Sequence, residues 1–224
     1  IKKSKSTVTR PDMIDYELCK IQFMEEKMSR IYNALIELVA AAVFIIPLWG
    51  IYEKFFFQSW KRTMVYMIFG FYLAVVLALV GFPNITMLQT EFTVNLIPFI
   101  YMLSDFVNAC LNVLLFVPFG FFLPMLWKEF RNIKSVALAG IVATSFVEIS
   151  QLFTGRATDI DDIITNSIGT LIGYFTVRFV TENFTKRTLS DSKINDFYLI
   201  CGSVGVIMFF LQPFVSTWLW GILL

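Results

Sequence analysis

Six long apolar runs, separated by short polar stretches, make up most of this chain. They cover residues 34–51, 64–82, 106–127, 135–153, 162–180 and 197–224. Runs of about 18 to 22 apolar residues match the length of helix that crosses a hydrocarbon core. The apolar positions are continuous and do not alternate, which predicts helices and argues against a β-barrel. The fold class expected is therefore all-α, a polytopic transmembrane helical bundle of about six spans.

The interruptions refine this outline. Glu37 lies near the start of the first run, and Pro47 and Gly50 predict a kink or an end there. The second run stops at Pro83. Pro118, Gly120 and Pro124 lie in the third, where Pro118 and Gly120 are expected to open the helix locally and free carbonyls. Residues 1–30 are mixed in charge, with seven Lys/Arg and five Asp/Glu. Met13, Tyr16, Ile21, Phe23 and Met24 recur there at roughly helical spacing. That pattern predicts an amphipathic helix at the membrane surface or running into the first span; a solvated arm is the alternative. No cleavable signal peptide is expected, since this polar stretch precedes an apolar run long enough to stay in the membrane.

Composition agrees. The chain is 57% hydrophobic with 25 Phe and a mean hydropathy of +0.71. Charged residues make up 16%, against about 25% in soluble domains. A net charge of +1 without a basic, aromatic-laced stripe argues against a nucleic-acid partner. Cys19, Cys110 and Cys201 lie far apart and read as packed thiols, neither metal ligands nor a disulfide framework. Histidine is absent, which removes His-based triads and His-ligated zinc.

Lys and Arg are unevenly distributed. Connectors 51–63, 128–134 and 178–196 hold ten in total, whereas 83–105 and 154–161 hold one, Arg156. The positive-inside rule places the basic connectors in the cytoplasm and the Arg156 loop outside, in a bacterial plasma membrane protein. Six spans would then put the basic N-terminal segment outside. Either the first run is re-entrant or interfacial, or balancing acids let that segment cross.

Against this apolar background the polar residues stand out. Asp105, Asn108 and Asn112 share one face of the third run, spaced i, i+3, i+7. Thr144, Glu148 and Gln151 share one face of the fourth. Asp159, Asp162 and Asn166 share one face of the fifth. All three faces lie at the level of Arg156, and polar side chains within spans ordinarily face a bundle interior or a wet cavity. Glu148 needs a partner, and Arg156 is the obvious cation, pairing with Glu148 or with Asp159. Structural alternatives stand beside each. Asp159 has the position of a helix N-cap, and Asp161 and Asp162 suit the first-turn dipole. Asn112 and Gln151 suit interhelical hydrogen bonds, and Gly169 and Gly173 suit close helix approach. The oxygen-rich set would favour Mg²⁺ or Ca²⁺ over zinc if it held any ion, but no cofactor or metal is expected. No Ser or Cys has a recognisable base beside it, so covalent catalysis is not expected. General acid–base work by Glu148 remains open.

At these residues the chain resembles the VanZ-like family of bacterial membrane proteins. The matching pieces are Asn-Leu-Ile-Pro-Phe at 95–99 and Asn-Val-Leu-Leu-Phe-Val-Pro-Phe-Gly at 112–120. They continue with Glu148-Ile-Ser-Gln151, Arg156-Ala-Thr-Asp159-Ile-Asp-Asp162, Asn166-Ser-Ile-Gly169 and Gly173. The resemblance runs from about residue 64 onward. It implies a VanZ-like transmembrane domain of five spans over 61–224, preceded by a charged segment and one extra helix over 1–60. It also implies a phenotype, lowered susceptibility to teicoplanin, a lipid-tailed glycopeptide, with no reaction attached.

Two functions follow as expectations. In the first, Asn112, Glu148, Gln151, Arg156, Asp159, Asp162 and Asn166 bind or shield an amphipathic ligand: a membrane lipid headgroup, a lipid-linked cell-wall precursor or a lipoglycopeptide. The Phe-rich surfaces would take acyl chains. In the second, an intramembrane enzyme modifies a lipid or lipid-linked intermediate, with Glu148, Asp159 and Asp162 as candidate catalytic groups. A transporter is disfavoured, because no inverted repeat or pair of broken helices is evident. Oligomeric state is left open.

Overall fold

The polar breaks in the sequence coincide with the ends of helices in the computed structural model, which describes residues 10–86, 88–89, 93–95, 97–98, 106–181 and 192–223. Helix α1 spans Arg10–Tyr52 and passes into a π-helical turn, Glu53–Phe57. Helix α2 is Trp60–Val80, α3 is Phe106–Leu126, α4 is Ile133–Gln151 and α5 is Ile160–Thr181. The last span begins with α6, Ile194–Val206, continues through a π turn, Ile207–Leu211, and ends in α7, Gln212–Leu223. Six of these rods are long and apolar enough to cross a membrane, among them Ile31–Phe57. Asp105, Leu96, Phe99 and most of the 178–196 connector lie outside the described residues, as do the side chains of Met13, Tyr16, Cys19, Ile21, Phe23 and Met24.

Pro47 does not end α1; the helix carries through it to Tyr52. Within the 1–30 segment, the helix that begins at Arg10 runs without a break into the first span. Pro118 does not end α3 either, which runs from Phe106 to Leu126. Pro118 has no N–H to give the Leu114 carbonyl one turn before it; at the neighbouring carbonyl, Leu115, Tyr72 of α2 donates its hydroxyl at 2.8 Å. Tyr72→Phe is expected to lower stability by about 1 kcal/mol, read as the midpoint of unfolding in detergent; an unchanged midpoint would show the bond to be idle.

Helix α2 ends at Gly81, whose φ of +69° is the left-handed cap that glycine tolerates. The Gly81 N–H donates to Ala78 O at 3.2 Å and the Phe82 N–H to Leu77 O at 2.9 Å, the bond pair of a Schellman motif. Val80's carbonyl is left without a partner from its own helix.

Packing is tightest between α3 and α5, with α4 against α5, α1 against α2 and α7, and α2 against α6. Gly120 of α3 lies on the Thr170 backbone, and Gly169 and Gly173 of α5 lie on the Val113 and Val117 carbonyls. A Cβ at any of the three would collide with main chain, so the close approach expected of Gly169 and Gly173 is what the bundle uses. An aromatic core closes the end where the basic connectors lie. Tyr66 stacks on Trp127 at 5.7 Å between centroids, and the Tyr66 hydroxyl donates to buried Asp196 at 3.1 Å. Outside the core, large apolar side chains such as Trp60, Phe106, Phe179 and Trp218 are exposed on the helix surfaces, as a hydrocarbon surround requires.

One element has no counterpart in the periodicity of the sequence. Thr93–Asn95 (β1) and Ala157–Asp159 (β2) form a two-stranded parallel ribbon, with Asn95 opposite Asp159. It ties the α2–α3 connector to the α4–α5 loop.

Candidate functional site

The site grows out of the ends of four elements. Helix α4 presents Thr144, Glu148 and Gln151 on one face, all buried. After Gln151 the chain tightens into a 3-10 turn, Leu152–Thr154, reverses at Gly155 with φ +68°, and runs through β2 into α5. This reversal brings the start of α5 back against the end of α4. The Thr158 hydroxyl bonds the Glu148 carbonyl at 2.8 Å, and the Asp159 N–H donates to Glu148 Oε2 at 2.9 Å. Glu148, 1% exposed, is therefore held by a backbone amide of the loop, where sequence reasoning looked to Arg156.

Arg156 donates from Nη1 to the Val80 carbonyl at 2.6 Å, and Gln151 Nε2 donates to the same oxygen at 3.1 Å. The acceptor left at the end of α2 is thus capped by a cation, as the helix dipole favours.

Asp159 behaves as an N-cap: its Oδ1 accepts from the Asp161 N–H at 3.0 Å, two residues into the chain beyond it. The same oxygen accepts from Asn95 Nδ2 at 3.2 Å. Asp162 Oδ1 accepts from Asn112 Nδ2 at 2.6 Å, which ties α5 to α3. Asn166 Nδ2 donates to Thr144 Oγ1 at 2.9 Å, tying α5 to α4. The buried Asn166 Oδ1 has no donor among the described residues. Asn108 is exposed.

All seven ligand-binding candidates are thus drawn into one polar layer at one end of the bundle. Sequence reasoning missed Asn95 and Thr158 as members. Asn95 carried a signal in the Asn-Leu-Ile-Pro-Phe segment of a connector without Lys or Arg, but only the β1–β2 register shows what it touches.

The layer lies inside a region that known proteins share. The sequence profile of VanZ/LLP1 matches residues 69–181, from α2 through α5. The chain belongs to the VanZ/LLP1 family. Protein VanZ of Enterococcus faecium is similar to it, 35% identical over 81 residues, which is 36% of this chain and 50% of the relative. The chain therefore spans about half the length of that curated relative. No solved structure matches. The VanZ/LLP1 region contains every residue of the polar layer, whereas α1 and the last span lie outside it. Together with six membrane-length helices, family membership makes this a multi-pass membrane protein.

Proposed function

We propose that this protein binds or shields a lipid-linked or lipid-tailed ligand at the outer leaflet of a bacterial plasma membrane, and so lowers susceptibility to lipid-tailed glycopeptides such as teicoplanin. The observation that carries the reading is the buried polar layer, in which Asn112, Glu148, Asp159, Asp162 and Asn166 are knit across α3, α4 and α5. Intramembrane polar groups are costly and mark function. Exposed Arg156 at its rim supplies a planar donor for a phosphate or carboxylate, and Asn166 Oδ1 supplies a buried acceptor. The placement outside the cell rests on the ten-to-one bias of Lys and Arg toward the opposite connectors.

The alternative is an enzyme acting on a lipid or lipid-linked cell-wall intermediate through Glu148, Asp159 and Asp162. What favours it is the gathering of three carboxylates in one layer, with the Asp159 N–H bonded to Glu148 and Asp162 one helical turn beyond Asp159. What weighs against it is that each carboxylate already accepts a bond that organises the layer. The test is drug susceptibility of a Gram-positive host producing the protein, with teicoplanin compared against vancomycin, which lacks the tail. Selective protection against teicoplanin is expected, and Arg156→Ala at matched membrane levels is expected to lose most of it. Asp162→Asn and Glu148→Gln are expected to retain a large part, because an amide still fills the space and accepts a hydrogen bond. Abolition of protection by both would favour the enzyme, and protection against neither drug would sink the proposal.

A further inference from the structure

A cavity of about 890 Å³ opens between α2, α4 and α6. Its walls are almost wholly apolar, with Leu73 and Val76 from α2, Ala139 and Ala143 from α4, and Val204 from α6. All three helices belong to membrane-length spans, so its surroundings are hydrocarbon. Left empty, such a space would forfeit the dispersion contacts of its walls. Water is a poor filler, because a buried water needs about two to four polar partners and the lining offers few.

Small residues make the room. In membrane bundles they ordinarily let helices touch, as Gly120, Gly169 and Gly173 do. Gly202 and Gly205, which line this cavity, do the opposite: a Cβ built at either meets no atom within 4 Å. Ala139 and Ala143 stand one turn apart on the α4 wall.

One end of the cavity lies beside residues that neighbour the polar layer. Phe82 and Phe146 line one end, their rings 5.8 Å apart. Phe82 follows Gly81, against which the Arg156 guanidinium packs, and Val147 of the lining precedes Glu148. On α4 the lining runs from Ser135 to Val147, about 18 Å at a rise of about 1.5 Å per residue. Glu129 and Phe130 of the 128–134 connector also line it, so the groove runs from that connector along more than half of a core about 30 Å thick.

We propose that this groove holds an acyl chain of an anionic membrane phospholipid, its phosphate turned toward Arg156. Of the layer's carboxylates Glu148 is buried and Asp159 and Asp162 are half-buried, each accepting a hydrogen bond within the layer, whereas Arg156 is exposed. The headgroup position deepens the function proposed above and rests on it; occupancy of the groove by a chain does not.

The test is photolabelling of the full chain in nanodiscs containing phosphatidylglycerol with a diazirine in its acyl chain, compared with phosphatidylcholine carrying the same chain, and adducts mapped by mass spectrometry. Adducts are expected on the groove-lining segments of α4 and α6, stronger with phosphatidylglycerol. Gly202→Leu combined with Gly205→Leu fills open space and is expected to keep the unfolding midpoint while cutting those adducts about tenfold, equivalent to about 1.4 kcal/mol. Arg156→Gln is expected to keep the adducts and remove the preference for the anionic lipid. Adducts spread over the outer helix surfaces and indifferent to the filled groove would overturn the proposal. So would a dimer that the filling substitutions dissociate, since the groove would then belong to a second copy. Groove adducts indifferent to headgroup and to Arg156→Gln would overturn the headgroup placement alone. Photolabelling reads occupancy directly, so its failure is separable from a failure of drug protection.

Discussion

Replacing Gly173 by valine is expected to leave almost no folded protein in the membrane. A Cβ there would meet the Val117 carbonyl and the backbone of Gly120 and Phe121, main chain that cannot rotate away as a side chain can. Helices α3 and α5 would have to separate, and with them the Asn112–Asp162 bond that joins them. Even one added methyl in a packed interior costs about 1–3 kcal/mol, and valine adds more volume against an unyielding wall. Gly120→Val and Gly169→Val should behave alike, since each faces backbone of the partner helix. Gly50→Ala is the control: a Cβ there meets nothing within 4 Å, and alanine favours the helix by up to about 1 kcal/mol. The measurement is the monodisperse yield after detergent extraction. Wild-type yield from Gly173→Val would mean that α3 and α5 do not pack as described.

Glu148→Ala is expected to have the next largest effect. The substitution leaves the Asp159 N–H without its acceptor in a buried place, at a cost of about 1–3 kcal/mol. It should also loosen what Asp159 organises, namely the cap on α5 and the bond from Asn95 in β1. A lowered unfolding midpoint together with loss of protection against teicoplanin is the expected pair of results. Glu148→Gln retains an oxygen for the Asp159 amide and should keep most of the stability. An alanine variant as stable as wild type would show that the Glu148–Asp159 bond does not hold the loop, and the site would then need another organiser.

Spans and faces were legible in the sequence because the bilayer imposes simple rules on it. A hydrocarbon core demands runs of a set length, and helical periodicity places Thr144, Glu148 and Gln151 on one side of α4 whatever they touch. The prolines end neither helix: α1 runs on past Pro47 and α3 past Pro118. Charge alone suggested a carboxylate partner for Arg156. A hydrogen bond from its guanidinium goes to Val80 O, a backbone acceptor created by the Schellman turn at Gly81 and invisible to any count of charges.

The amino-acid sequence by itself determined that this is a helical membrane protein with six spans, which residues are polar within them, and that those residues gather at one level. Its motifs also pointed to the VanZ/LLP1 family. Only the tertiary structure decided who bonds with whom: Asn112 with Asp162, Asn166 with Thr144, Glu148 with the Asp159 amide, and Asn95 with Asp159 through the β1–β2 register. It alone distinguished glycines that seat one helix on another from glycines that face open space. The physical reason is that periodicity reports direction around a single helix, whereas partners and voids depend on the separation and rotation of several helices, set by packing between residues far apart in the chain.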